Sequence, residues 1–168
     1  MGYPERMVRV LFVCLGNICR SPMAEAVFLR KVRAAGLEKE IEADSAGTEH
    51  WNVGSPPHRG TRRILEEQGI DYSHVARLIT RADLDAFDLI LTMDEDNYAD
   101  VRRFAHADAR ERIHRFMEFA PHLGQTVPDP YYSGRFEETF ELVDAAADGL
   151  LAHLTEKYHL KSAAESTA

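Results

Sequence analysis

Val8-Arg9-Val10-Leu11-Phe12-Val13-Cys14 constrains this chain more than any other stretch. Apart from Arg9 it is apolar throughout, the pattern of a strand covered on both faces rather than one with a wet side. Five residues, Leu15-Gly16-Asn17-Ile18-Cys19, separate it from Arg20-Ser21-Pro22 and a second patterned segment. There Met23, Val27, Phe28 and Val32 recur at helical spacing, and Gly36 marks the stop. Ser21 suits a helix cap and Pro22 a first helical position. The capping-box acid is missing, because the first glutamate, Glu25, falls one place late. A covered strand that turns straight into a helix predicts a parallel sheet, since parallel neighbours need a crossover of this kind.

The rest of the chain repeats the alternation. Ile41 to Ala46 predicts a second strand, Gly54 to Pro57 a loop, and Thr61 to Gln68 a helix closed by Gly69. Phe87 to Thr92 predicts a third strand and Glu95 to Phe104 the helix after it. A fourth strand falls within Arg112 to Phe119, on a weaker pattern. Pro121 to Gly134 reads as a polar loop. Phe136, Phe140, Val143, Ala147, Leu150, Leu151, Leu154 and Tyr158 form one stripe of a long final helix. The fold expected is α/β, a three-layer sandwich with a central four-stranded parallel sheet and helices on both faces. Crossovers should be right-handed, and ligands should meet the carboxyl ends of the strands. One domain spans residues 1–168, with 1–7 and 161–168 as flexible ends.

Composition narrows the function classes. Twenty basic against twenty-eight acidic residues give a net charge of −8, which argues against a nucleic-acid surface. No apolar run is long enough to span a bilayer, and the N-terminus offers no secretory h-region. Met1-Gly2 lacks the Ser or Thr that myristoylation wants, because Arg6 stands in that place. The two cysteines, Cys14 and Cys19, lie five positions apart and cannot staple distant segments. Reactive thiols in a reducing cytoplasm fit better than a structural bridge. The eight histidines are scattered without ligand spacing, so no metal and no cofactor is expected. The pattern assigns no oligomeric state.

The chemistry gathers at Cys14. A thiol at a strand's end, beside loop amides and a helix N-terminus, sits in a positive field that favours thiolate and collects phosphate oxygens. Gly16 and Asn17 both tolerate the positive φ angles that let amides converge. A cysteine separated by five residues from an arginine is weak evidence by itself; its position between a buried strand and a helix start carries the weight. The layout suits attack on phosphorus. Taken alone, Asp129 before Pro130 reads as the start of a turn, while His74 is open between a surface-loop histidine and a support of the loop, and Trp51 between core and cleft wall.

Val13-Cys14-Leu15-Gly16-Asn17-Ile18-Cys19-Arg20-Ser21-Pro22 resembles the signature of the low molecular weight protein tyrosine phosphatases. Asp44-Ser45-Ala46-Gly47, Trp51-Asn52-Val53-Gly54, Ser73-His74-Val75-Ala76-Arg77, Met93-Asp94 and Asp129-Pro130-Tyr131-Tyr132 follow in that family's order. The likeness runs over about residues 8–158. It implies metal-independent hydrolysis of phosphomonoesters on tyrosine-phosphorylated proteins. Cys14 is then the nucleophile, and Leu15, Gly16, Asn17, Ile18, Cys19, Arg20 and Ser21 hold the phosphoryl group. Arg20 would grip two oxygens with its planar fork, which lysine could not reproduce. Asp129 becomes the general acid. Asn17, Ser21, Ser45 and His74 tie the loop down, while Trp51, Tyr131 and Tyr132 wall the substrate ring. Cys19 is either a reversible disulfide partner for Cys14 or a packing thiol. Opposite proton demands on Cys14 and Asp129 imply a bell-shaped pH profile.

Two other readings of the same scaffold follow from that resemblance. Protein-arginine phosphatases carry threonine where Ile18 stands and lack the paired tyrosines after Asp-Pro, so Ile18, Trp51, Tyr131 and Tyr132 favour phosphotyrosine. A thiol-dependent arsenate reductase needs resolving cysteines beyond the loop, and none follows Cys19.

Overall fold

The structure, a computed structural model, describes residues 6–166. Strand β1 (Val8–Cys14) pairs in parallel with β2 (Ile41–Gly47) on one side and β3 (Leu89–Thr92) on the other. Beyond β3 lies β4 (Ile113–Arg115), also parallel, giving the order β2-β1-β3-β4. The chain reverses its direction of travel across the sheet between β1 and β3, so the carboxyl end of β1 is the crevice where such sheets take ligands. Cys14 stands there.

The alternation of β1 explains both layers. Val8, Val10, Phe12 and Cys14 enter one apolar cluster, and Leu11 and Val13 enter the other. The first cluster lies beneath α1 (Arg20–Ala34), α2 (Arg59–Glu67) and α6 (Phe136–Lys157). Phe12 sits edge-on to Phe28 at 5.6 Å and to Phe116 at 5.1 Å, favourable ring geometry at the centre of that layer. The second lies beneath α3 (Arg81–Ala86) and α4 (Glu95–Phe104), around Leu84, Ile90 and Val101. The fold is the expected α/β sandwich.

Several local expectations need correction. Ser21 does not cap α1: it lies inside the first turn, Cys19 holds the cap position, and no side chain bonds there. The Ser21 hydroxyl is instead taken by Cys14 and Asn17. The fourth strand keeps only three residues, because Phe116–Phe119 wind into a 3₁₀ turn that carries Phe116 and Met117 into the core. The stretch 121–134 is not all loop; it contains a 3₁₀ turn (Pro121–Leu123) and one α-turn, α5 (Pro130–Ser133). Helix α3 carried no apolar period in the sequence; a capping box between Thr80 and Asp83 starts it. A last turn, α7 (Ala163–Ser166), lies in the expected fraying tail. Of the two expected flexible ends, residues 1–5 and 167–168 lie outside the described residues. Among the described residues, no helix is long and apolar enough to cross a membrane.

Candidate active site

The loop from Leu15 to Cys19 is held from outside by its own carbonyls. Cys14 O accepts from Thr48 N–H (3.0 Å), Leu15 O from Glu49 N–H (2.9 Å), and Ile18 O from His58 N–H (2.7 Å). Cys19 O accepts from the Thr61 hydroxyl (3.0 Å). In a trans peptide the N–H points opposite to the C=O before it. Four outward carbonyls therefore turn the N–H groups of Leu15, Gly16, Cys19 and Arg20 toward the loop's centre. Such converging donors suit an oxyanion.

Asn17 locks the arrangement from within. Its backbone sits at φ 57°, a left-handed conformation that asparagine tolerates better than most residues. Its amide donates to Ser21 Oγ (2.8 Å) and Ser45 Oγ (3.0 Å). Its Oδ1 accepts from His74 Nε2 (2.8 Å) and from Arg77 N–H (3.0 Å). That bond requires the His74 proton on Nε2. Because Ser21 Oγ already accepts from Asn17, its own proton is free to point at Cys14 Sγ, 3.0 Å away. Gly16 has a different reason from the expected one: its φ is not positive, but a Cβ there would stand 2.6 Å from Asn52 Nδ2.

Arg20 is 2% exposed and ties three loops together. Its Nη1 donates to Asp94 Oδ2 (2.6 Å) and to Val127 O (3.0 Å). Its Nη2 faces Asp129 Oδ2 at 3.5 Å, and its Nε, fully buried, has no hydrogen-bond partner among the described residues. The Nε–Nη2 edge is thus the side of the guanidinium left to face the loop centre. Burial works against the charge on Arg20, but Cys14, Asp94 and Asp129 outweigh it and hold the group above its ordinary range. Asp129 caps α5, accepting from Tyr131 N–H at 3.1 Å. Prolines on both sides, Pro128 and Pro130, stiffen its backbone.

These residues share one cleft of about 200 Å³, lined by Cys14, Arg20, Asp129, Trp51, Tyr131 and Tyr132, with loop residues as its floor. Trp51 is 65% exposed, Tyr131 58% and Tyr132 78%. Trp51 is therefore not a core residue, and the three aromatics form a rim. Ser45 and His74 lie behind the loop, reaching it through Asn17. Cys14 and Cys19 are both free thiols. Burial, with the nearby Cys14 and Asp129, pushes the Cys19 thiol up to about 12, so its resting form is protonated.

Two acids carried no assigned role in the sequence. Asp94 anchors Arg20 while also capping α4 through Asn97 N–H (2.9 Å); its capping-box pattern with Asn97 is a sequence signal for the cap alone. Glu25 falls on the buried side of α1, its Oε1 without a hydrogen-bond partner among the described residues and 3.9 Å from His74 Nδ1. Burial pushes Glu25 up to about 7, only partly offset by the Ser45 and Tyr72 hydroxyls. Burial likewise lowers His74. Glu25, Asp44 and His74 bring potential ligand atoms within 4.8 Å of one another. Arg77 already supplies a cation to that cluster, pairing with Asp44 (2.9 Å) and Asp83 (2.8 Å).

The family model for low molecular weight phosphotyrosine protein phosphatase matches residues 9–160. Low molecular weight protein-tyrosine-phosphatase YfkJ of Bacillus subtilis is 44% identical over 156 residues, covering 92% of this chain and all of the relative. Its crystal structure superimposes with a TM-score of 0.88, covering 90% of this chain and 97% of that one. A low molecular weight protein-tyrosine-phosphatase of Streptomyces coelicolor is 43% identical over 161 residues, covering 92% and 98% of the two chains. A protein tyrosine phosphatase from Entamoeba histolytica, crystallised with Hepes in its active site, is 31% identical with a TM-score of 0.85, covering 91% and 99%.

Proposed function

Because the chain belongs to the low molecular weight phosphotyrosine protein phosphatase family, we propose that it hydrolyses phosphotyrosine on proteins through a phosphocysteine intermediate. Cys14 Sγ attacks phosphorus, the bond from phosphorus to the phenolic oxygen breaks, and Asp129 gives its proton to that oxygen. Asp129, now a carboxylate, takes a proton from water; the water oxygen attacks the phosphocysteine, and sulfur leaves as thiolate. The Nε–Nη2 edge of Arg20 grips two phosphoryl oxygens while the loop amides meet the charge that builds in the transition state. Trp51, Tyr131 and Tyr132 flank the phenyl ring. The two free thiols suit a reducing compartment, and a cytoplasmic setting belongs to the same reading.

One observation carries it. The sulfur that accepts from Ser21, the buried guanidinium of Arg20 and the carboxylate of Asp129 all border a single cleft, although Asp129 follows Arg20 by 109 residues. The test is hydrolysis of an aryl phosphate and a phosphotyrosyl peptide with chelator present, beside phosphoarginine. Turnover of both esters, unchanged by chelator, is expected. Release of phosphate from phosphoarginine alone would overturn the choice of substrate, and chelator-sensitive turnover the mechanism.

A further inference from the structure

We propose that the groove behind Tyr131 binds an acidic side chain of the substrate's phosphorylated segment, with Arg59 as the residue that reads it. The inference rests on the phosphotyrosine reading and concerns what lies beside the phosphotyrosine. The groove is lined by His58, Arg59, Gly60, Tyr131, Gly134 and Phe136, among others. Tyr131 also lines the catalytic cleft, so a peptide leaving the cleft across that ring enters the groove directly.

The groove is built, and it is fixed relative to the phosphate loop. His58 stacks on Phe136 at 5.0 Å and meets Tyr131 edge-on at 5.9 Å. Gly60 permits this: a Cβ there would lie 2.5 Å from the Phe136 ring. The start of α2 hangs from the loop through His58 N–H to Ile18 O and the Thr61 hydroxyl to Cys19 O. A side chain seated in the groove therefore stands in constant register with the phosphoryl group.

Its charge selects the occupant. Arg63 is already matched by Glu67 (3.0 Å) and Glu137 (2.8 Å). Arg59 is exposed and makes no hydrogen bond or ion pair among the described residues. The first turn of α2 holds no acid, and the helix is capped by the His58 ring, whose Nδ1 accepts from Gly60 N–H at 3.0 Å. With Nδ1 so engaged, the ring carries its proton on Nε2 and has a donor to offer. A chain of net charge −8 thus leaves an unmatched guanidinium beside its catalytic wall.

The test is a set of phosphotyrosyl peptides with Asp, Ala or Lys at successive positions on either side of the phosphotyrosine. Wild type, Arg59→Lys, Arg59→Ala and Arg59→Glu are compared, with an aryl phosphate as the substrate that cannot reach the groove. Exposed ion pairs are weak, so at low salt kcat/KM should favour the best Asp peptide over its Lys counterpart by about three- to ten-fold, mainly through KM. Arg59→Lys should keep the preference, Arg59→Ala flatten it and Arg59→Glu invert it, while aryl phosphate turnover holds; 0.5 M salt should erase it. An unchanged peptide ranking in Arg59→Glu, with aryl phosphate still hydrolysed, overturns the groove proposal alone. Failure of wild type on every aryl and tyrosyl phosphate overturns the reading beneath it.

Discussion

The two halves of the catalytic cleft are held in opposite ways. On the Cys14 side, Asn17, Cys19, Arg20, Ser21 and Ser45 are all buried, and both polar atoms of the Asn17 side chain meet partners. On the Asp129 side, the half-buried acid caps a single α-turn between two prolines, two exposed tyrosines follow it, and the Arg20 contact is a long 3.5 Å. The nucleophile is built into the core, whereas the acid sits half-buried at the start of one short turn. A rigid anion cradle can be assembled before substrate arrives. A residue that must give a proton and later take one gains from a site open to water and to the leaving group.

The comparison predicts how substitutions divide between turnover and stability. The largest effect falls on Cys14→Ser, expected to lower aryl phosphate turnover by at least about 10⁴-fold while vanadate still binds, since nothing replaces the sulfur as nucleophile. Melting temperature should hardly move, because the loop and its outward carbonyl bonds persist; a fully active variant would remove the nucleophile from the mechanism. Asp129→Ala comes next, with turnover down about 10²–10³-fold. The loss should grow as the leaving group becomes more basic, and loss of the short α5 cap should cost under about 1 kcal/mol. An equal loss for good and poor leaving groups would mean that Asp129 positions and does not protonate.

Asn17→Ala probes the buried half. Removing its side chain leaves Ser21, Ser45, His74 and the Arg77 amide short of partners, and it puts alanine at φ 57°. Buried unsatisfied groups and the strained φ together should cost about 2–4 kcal/mol by chemical denaturation. Turnover should fall about 10- to 100-fold. A stability loss below about 1 kcal/mol would show that the network is looser than its geometry, and the contrast between the halves would shrink.

The sequence was most legible where one residue serves one purpose. The strand from Val8, the phosphate loop and the final helix each announce themselves by period or by residue type. The rim aromatics and Asp129 could be assigned only by resemblance, because long-range contacts such as Arg20–Asp129 leave no trace in local pattern. Ser21 misled because its hydroxyl could cap a helix or bond a sulfur, and only the fold decides which. Residues 116–119 misled for a related reason: apolar side chains suit a strand and a core-facing 3₁₀ turn equally. Asp94 and Glu25 escaped because an acid's partner, an arginine 74 residues away or the histidine behind the loop, is invisible until the chain closes.

Glu25 gives the smallest predicted effect and the one that most sharpens the comparison, since the surface half has no counterpart to it. Its carboxyl is raised from 4.5 to about 7, chiefly by burial. The folded state therefore binds a proton that the unfolded state has already lost, and stability falls as pH rises from about 4.5 to about 7. His74 is lowered from 6.5 by burial and has the opposite sign, adding stability as pH rises toward 6.5. The two slopes oppose each other below that point, and only the Glu25 slope persists above it. Its full range is on the order of 3 kcal/mol, reduced by the opposing histidine. Glu25→Gln keeps the volume and removes the titration. Denaturation between pH 5 and 8 should show wild type losing about 2 kcal/mol relative to the variant, most steeply between about 5 and 6.5, because His74 titrates in both and cancels. Because His74 bonds Asn17, the same proton should shift the phosphate loop's affinity for vanadate across that window in wild type and not in Glu25→Gln. Parallel stability curves would mean that the carboxyl keeps one charge state throughout, and that the buried half of the cleft is as indifferent to pH in this range as its geometry is to substrate.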